Sequence, residues 1–191
     1  MGHIGYTPQF KKKFKVEGKN KNEQMHLLKN AKLIMKSTKC DAVKIENDKK
    51  NYNIIKELVK SKIPVMGHIG FTPQFKKRFK IEGETINKAK KLLKEAELIE
   101  EAGAFSIVLE CLSPNASKLI TNNIKIPTIG IGSSSYCDGQ ILVTDDMLGV
   151  SGFYPKFVKK YANLEKIIDK AVKKFDKEVK LNRFPLGKNS F

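Results

Sequence analysis

Met66–Gly83, MGHIGFTPQFKKRFKIEG, is the stretch that decides the reading of this chain. It occurs twice: Met1–Gly18 reads MGHIGYTPQFKKKFKVEG and is identical at 15 of 18 positions. The three differences, Tyr6 for Phe71, Lys13 for Arg78 and Val16 for Ile81, keep size and chemistry. What precedes each copy differs. The second follows the apolar run Ile63-Pro-Val65, which can be a strand, and the strand is expected to run on into Ile69. The first stands at Met1, so no strand is expected before it, and His3 and Glu17 carry little functional weight.

Working outward, apolar spacing predicts helices over 22–36, 51–61 and 86–102. Thr85 is placed to cap the third of these and Gly103 to end it. Ser113-Pro114 reads as the cap and first position of a further helix to Thr121. A long amphipathic helix, carrying Leu164, Ile167, Ile168, Ala171, Val172, Phe175 and Val179, closes the chain. Between the helices lie short apolar runs at 41–46, 63–69, 104–110, 126–131 and 139–143. Alternation of such strands with helices is the pattern of βα units and a parallel sheet. The repeat extends weakly beyond Gly18. Leu27-Leu28, Ala31 and Leu33-Ile34 match Leu92-Leu93, Ala96 and Leu98-Ile99 at an offset of 65 residues.

Composition narrows the function classes. The chain of 191 residues can bury one sizeable core, but is short for a full eight-stranded α/β barrel of about 250. No apolar run approaches the roughly 18 residues of a membrane span. Cys40, Cys111 and Cys137 are odd in number and lack C-x-x-C spacing, which speaks against a disulfide framework or zinc ribbon and for a reducing cytosol. The net charge is +17, yet arginine occurs only at Arg78 and Arg183. Nucleic-acid readers favour arginine forks, and these lysines spread along every helix. Only Phe10–Phe14 and Phe75–Phe79 interleave basic with aromatic residues.

In a parallel α/β sheet, ligands bind beyond the carboxyl ends of the strands. Those ends carry Lys44 and Glu46, then His68, then Glu110, then the Gly130–Ser135 loop, then Asp145 and Asp146. Two glutamates on separate strand ends suit a metal ligand and a general base. His68 can be a rim contact or can hold its loop by hydrogen bonds. The Gly130–Ser135 loop can cradle an anion or make a tight turn.

Several motifs occur in order: Val43-Lys-Ile-Glu46, Gly67-His-Ile-Gly-Phe-Thr-Pro-Gln74, Ala102-Gly-Ala-Phe105, Leu109-Glu-Cys111, Ile126-Pro-Thr-Ile-Gly-Ile-Gly132 and Cys137-Asp-Gly-Gln-Ile-Leu-Val143. Pro155-Lys-Phe-Val-Lys159 and Phe184-Pro185 to Phe191 follow. From Asn22 to Phe191 the chain resembles the ketopantoate hydroxymethyltransferase family. The resemblance implies a (β/α)8 TIM-type barrel, of which about five of eight parallel strands are expected. It implies Mg²⁺, 5,10-methylenetetrahydrofolate as co-substrate, and 3-methyl-2-oxobutanoate as acceptor in pantothenate biosynthesis. It implies Glu110 as the base that takes the proton from C3 of the keto acid, Lys44 as the lysine that binds it, and Glu46 as the metal-site glutamate. The family's first third, with its Gly-Asp-Ser loop and aspartate ligands, has no counterpart. Residues 1–21 are expected to be the duplicated motif in its place, and 22–191 the C-terminal part of the barrel. The loop after Gln74 reads shorter than the family's, and Ser133-Ser-Ser135 stands where the family has Gly-Ala-Gly. Two expectations follow. One is an enzyme of a homo-oligomer. The other is a non-catalytic remnant that associates with a full-length copy.

Overall fold

The structure, a computed structural model, describes residues 2–4, 21–46, 52–73 and 80–190, with backbone alone for 2–4 and 21–26. The runs Phe10–Phe14 and Phe75–Phe79, Glu17 and the loop after Gln74 lie outside the described residues.

Contacts divide the chain into two units, Met1–Ile141 and Leu142–Phe191. The first is built on β1 (Gly2–Ile4), α1 (Lys21–Thr38), β2 (Val43–Ile45), α2 (Tyr52–Lys60), β3 (Val65–Gly70), α3 (Ile86–Glu101), β4 (Ser106–Glu110), α4 (Pro114–Thr121), β5 (Thr128–Ile131) and β6 (Gly139–Gln140). All six strands are parallel and ordered as in the sequence. The α/β reading with a sheet of βα units therefore holds. β1, inside the first copy, adds a strand to the five expected. Its Gly-His-Ile pairs with β2, His3 opposite Lys44, just as the same tripeptide forms part of β3. The reason is local: the tripeptide that extends in β3 also extends beside a free edge of β2. Among the described residues the sheet stays open, with β1 and β6 each paired on one side.

The helix ends follow the sequence closely. Thr85 Oγ1 accepts from Lys88 N–H at the start of α3, and Ser113 Oγ accepts from Ala116 N–H at the start of α4, with Pro114 as first residue. Gly103 takes φ +92° after α3, a left-handed geometry that glycine adopts without strain. The strand expected over 139–143 is shorter, because Val143 already caps the next helix.

Period-two alternation sorts the strand residues into two faces. Val43, Ile45, Val65, Ile69, Ile107 and Leu109 join Ile55, Leu58, Ala96, Ile99 and Ile120 of the helices in one core. Each large aliphatic side chain buried there contributes roughly 1.5–3 kcal/mol. A Cβ at Gly67 would sit 2.4 Å from Ile99 Cγ2, which confirms that odd-numbered β3 positions face the helices. Lys44, Glu46, His68, Val108 and Glu110 are left to the opposite face.

The second unit holds α5 (Thr144–Leu148) and α6 (Leu164–Lys180). Within it Tyr161 N–H donates to Met147 O at 2.8 Å and Glu165 N–H to Gly149 O at 3.2 Å. α6 is amphipathic as expected, but Ile167, Ile168, Val172, Phe175 and Val179 along it are all exposed. Among the described residues no helix is long and apolar enough to cross a membrane.

Candidate active site

Lys44 lies mid-β2, and Glu46 follows the strand directly. Their register neighbours on β3 carry His68 into the same face. Lys44 is opposite Met66, so the next position on that face, Glu46, meets the level of His68. On β4, His68 is opposite Val108 and Gly70 opposite Glu110. Lys44 Nζ lies 2.9 Å from His68 Nδ1. His68 Nε2 lies 3.1 Å from Glu110 Oε2. Lys44 Nζ is also 3.7 Å from Glu46 Oε1. The result is a continuous run of ammonium, imidazole and carboxylate, flanked by a second carboxylate. The His68–Glu110 distance is that of a hydrogen bond, but Nε2 has no well-aligned acceptor. The pair is a close polar contact without hydrogen-bond alignment.

The backbone holds Glu110 firmly. Its carbonyl accepts from Phe71 N–H at 2.9 Å. Gly70, at φ +96°, passes so close that a Cβ would lie 2.1 Å from that carbonyl oxygen. The next residue, Cys111, takes φ +54°, a left-handed geometry that costs a non-glycine residue about 1–2 kcal/mol. Its N–H donates to Ile131 O and its carbonyl accepts from Glu82 N–H, at 2.9 and 2.8 Å. Strained backbone beside a strand-end acid marks a site under constraint.

Burial governs the electrostatics. Desolvation lowers the Lys44 pKa, and Glu46, then Glu110, oppose the shift. Desolvation likewise lowers that of His68 against the pull of Glu110, so the ring is neutral near pH 7. Burial, with the charges of Glu110 and Glu82, pushes the Cys111 thiol up to about 11, which makes it a poor nucleophile. All three cysteines are free thiols.

The structure thus brings Lys44, Glu46, His68 and Glu110 together. His68 is 1 % exposed and Glu110 8 % exposed. The Gly130–Ser135 loop is engaged internally. Ser133 Oγ donates to Leu109 O at 2.7 Å and accepts from Leu112 N–H at 3.1 Å, tying the end of β5 to that of β4. Asp145 and Asp146 belong to the second unit, in the first turn of α5, where Asp146 Oδ1 accepts from Ser151 Oγ. Sequence reasoning missed the bridging place of His68 and the role of Gly70. The available signal was polar residues at alternate positions of apolar strands, as in Val43-Lys-Ile-Glu46.

Mg²⁺ takes six oxygens in an octahedron and is bound through one or two carboxylates plus substrate and water. Among the described residues no three His, Cys, Asp or Glu side chains converge to hold a metal. Glu46 has an ammonium at 3.7 Å. The described residues therefore do not by themselves make a cation site.

Comparison with known proteins adds the following. The family model described as ketopantoate hydroxymethyltransferase matches residues 27–187. The 3-methyl-2-oxobutanoate hydroxymethyltransferase of Pelagibacter ubique is 51 % identical over 164 residues, 86 % of this chain and 64 % of that protein. That of Francisella tularensis subsp. novicida is 51 % identical over 78 % of this chain and 58 % of its own length. That of Clostridium botulinum is 49 % identical over 85 % and 60 %. The chain thus spans about three fifths of the length of these curated relatives. A solved monomeric dihydrodipicolinate synthase variant overlays with a TM-score of 0.42 at 19 % identity, over 68 % of this chain and 42 % of that one, too slight a likeness to build on.

Proposed function

The chain belongs to the ketopantoate hydroxymethyltransferase family, and from that membership we propose that its strand-end acid and lysine act on 3-methyl-2-oxobutanoate. The one-carbon donor is 5,10-methylenetetrahydrofolate. The observation that carries the reading is the Glu110 carboxylate, at the end of β4 and 3.1 Å from a buried histidine that touches Lys44. Glu110 removes the proton from C3 of the keto acid. The C–H pair moves into the C2–C3 bond and the carbonyl electrons move to oxygen. Lys44 binds the keto acid and offsets the enolate charge, an interaction that strengthens as the charge develops. C3 then bonds to the one-carbon unit. The methylene carbon leaves both folate nitrogens, so water supplies the hydroxyl oxygen and tetrahydrofolate departs. Glu46 is the described carboxylate that we assign to the family's Mg²⁺. Together with the other described residues it does not by itself make the site. We further assign residues 1–21 as the duplicated motif in place of the family's first third, 22–191 as the C-terminal part of a (β/α)8 barrel, and the βα sheet as an arc of that barrel. The three free thiols support a cytosolic setting.

The test is exchange of the C3 hydrogen of 3-methyl-2-oxobutanoate in D₂O, followed by ¹H NMR, with and without Mg²⁺, alongside full turnover with the folate. Exchange by the chain is expected to fall about 10³-fold in Glu110→Gln, the loss typical of a general base. Equal rates in the two proteins, or no exchange at any Mg²⁺ concentration, would overturn the reading.

A second reading is a non-catalytic chain that associates with a full-length copy. Among the described residues β1 and β6 are each paired on one side only, which favours it. Co-purification with a full-length relative, without turnover of its own, would support it over the first.

A further inference from the structure

We propose that His68 is a positioning residue for Glu110. It is a neutral imidazole that accepts from Lys44 at Nδ1 and keeps its single N–H on Nε2, the nitrogen 3.1 Å from the Glu110 carboxylate. The role of Glu110 as base rests on the reading above. The assignment of His68 rests on geometry.

Both ring nitrogens of His68 face charged groups, Lys44 Nζ at 2.9 Å and Glu110 Oε2 at 3.1 Å. An ammonium has three donors and no acceptor, so the Nδ1 it meets has to offer its lone pair. A neutral ring carries one proton, which the Lys44 contact leaves on Nε2. A second proton on the ring would set two cations 2.9 Å apart in a buried place. The groups that face the ring are Lys44 and Glu46 from the β2 segment and Glu110 from β4. At 1 % exposure, on a strand buried at every position, the ring is assigned a place one step removed from the keto acid, which Lys44 and Glu110 meet. It acts through its neighbour. A donor held 3.1 Å from one carboxylate oxygen needs only a small turn to bond it, which restricts the rotamer of Glu110 and leaves the other oxygen for the C3 proton. Lys44 fixes the ring in turn, so the group that binds the keto acid also sets the tautomer that orients the base. Partners one step removed from a functional group, as around metal-ligating side chains, typically cost about 10–100-fold in activity when lost.

Two substitutions separate positioning from the alternatives. His68→Gln keeps an acceptor for Lys44 and a donor for Glu110 but cannot take up a proton. His68→Leu fills space and does neither. C3 exchange is expected within about tenfold of the parent in the glutamine variant. In the leucine variant it is expected to fall about 100-fold, in kcat rather than KM. A glutamine variant as impaired as the leucine one would make His68 a proton carrier and overturn the proposal. A leucine variant with parental rates would reduce it to packing and overturn it equally. A readout independent of activity comes from ¹H–¹⁵N spectra of the histidine rings. The chain has three histidines, and the His68 signals are those lost in His68→Gln. A bare Nδ1 with a protonated Nε2 near pH 7 is expected. A protonated Nδ1, or a doubly protonated ring, would overturn the assignment. If the parent chain exchanges no C3 hydrogen, the proposed function falls, while the ring spectra still decide the place of His68. They do so too if the leucine variant fails to fold.

Discussion

A histidine that is 1 % exposed and flanked by an ammonium pays in solvation for any second proton, and this gives stability a defined pH dependence. The folded-state pKa lies below the ordinary value of 6.5, while the unfolded chain titrates at about 6.5. Above that value neither state binds the proton and His68 contributes no slope. As pH falls below it, the unfolded state takes up a proton that the folded state refuses. Stability then declines by up to about 1.4 kcal/mol per pH unit, until the folded His68 titrates as well. Urea midpoints of the parent and of His68→Gln at several pH values measure it. Their difference is expected to be constant above about pH 7 and to change below about 6.5. A difference constant down to pH 5 would show that the folded ring is already accessible to protons. At this scale the sequence was most informative where polar residues interrupt apolar strands: Lys44, Glu46 and Glu110 stand out on that ground alone. The link through His68 was hidden because it depends on the registers of β2–β3 and β3–β4, which no single strand reveals.

Glycine at position 70 is the point where one element controls another. β3 ends there at φ +96°, and its backbone passes against the carbonyl of Glu110 at the end of β4. A methyl group at that position meets two obstacles, the left-handed conformation and a backbone oxygen at 2.1 Å that no rotamer change can move. Gly70→Ala is therefore expected to destabilise by about 1–3 kcal/mol from the backbone strain alone. It also pushes the end of β4, and so should slow C3 exchange more than its stability loss explains. Denaturant midpoints and exchange rates on the same sample check both. Unchanged values in both would show that the β3–β4 junction yields easily. Capping chemistry made the starts of α3 and α4 legible to the residue, because Thr85, Ser113 and Pro114 act within a few positions of themselves. β1 was not legible. A tripeptide at the chain's start becomes a strand only because β2 offers it an edge. The end of β6 was misjudged for the related reason that Ile141 to Val143 are apolar enough for a strand, yet Val143 serves as cap to α5.

Taken whole, the molecule sets two opposing tendencies against each other. The described sheet leaves β1 and β6 paired on one side only, and such edges are templates for further pairing. Against this stands a net charge of +17, which repels like molecules until salt screens it. Self-association is therefore expected to rise with ionic strength, the reverse of assembly through ion pairs. Sedimentation velocity at about 0.05 and 0.5 M salt, where the screening length drops severalfold, distinguishes them. A monomer under both conditions would show that the edges are protected.

One arrangement in the sheet bears on how it is assembled at all. The peptide Gly-His-Ile stands in the strands on both sides of β2, as Gly2–Ile4 and as Gly67–Ile69. Local sequence cannot tell the two slots apart, and a chain with its copies exchanged would keep nearly all of the same backbone bonds. Loop closure separates them weakly. The path from Ile4 to Val43 is about twice that from Ile45 to Val65, worth about 0.6 kcal/mol. What sorts them is chirality. Parallel strands joined through a helix cross over to the right, so a segment entering before β2 and one leaving after it fall on opposite sides. The duplicated peptide thus acquires two unequal destinies, an edge and a centre, from the handedness of L-amino acids rather than from any residue within it.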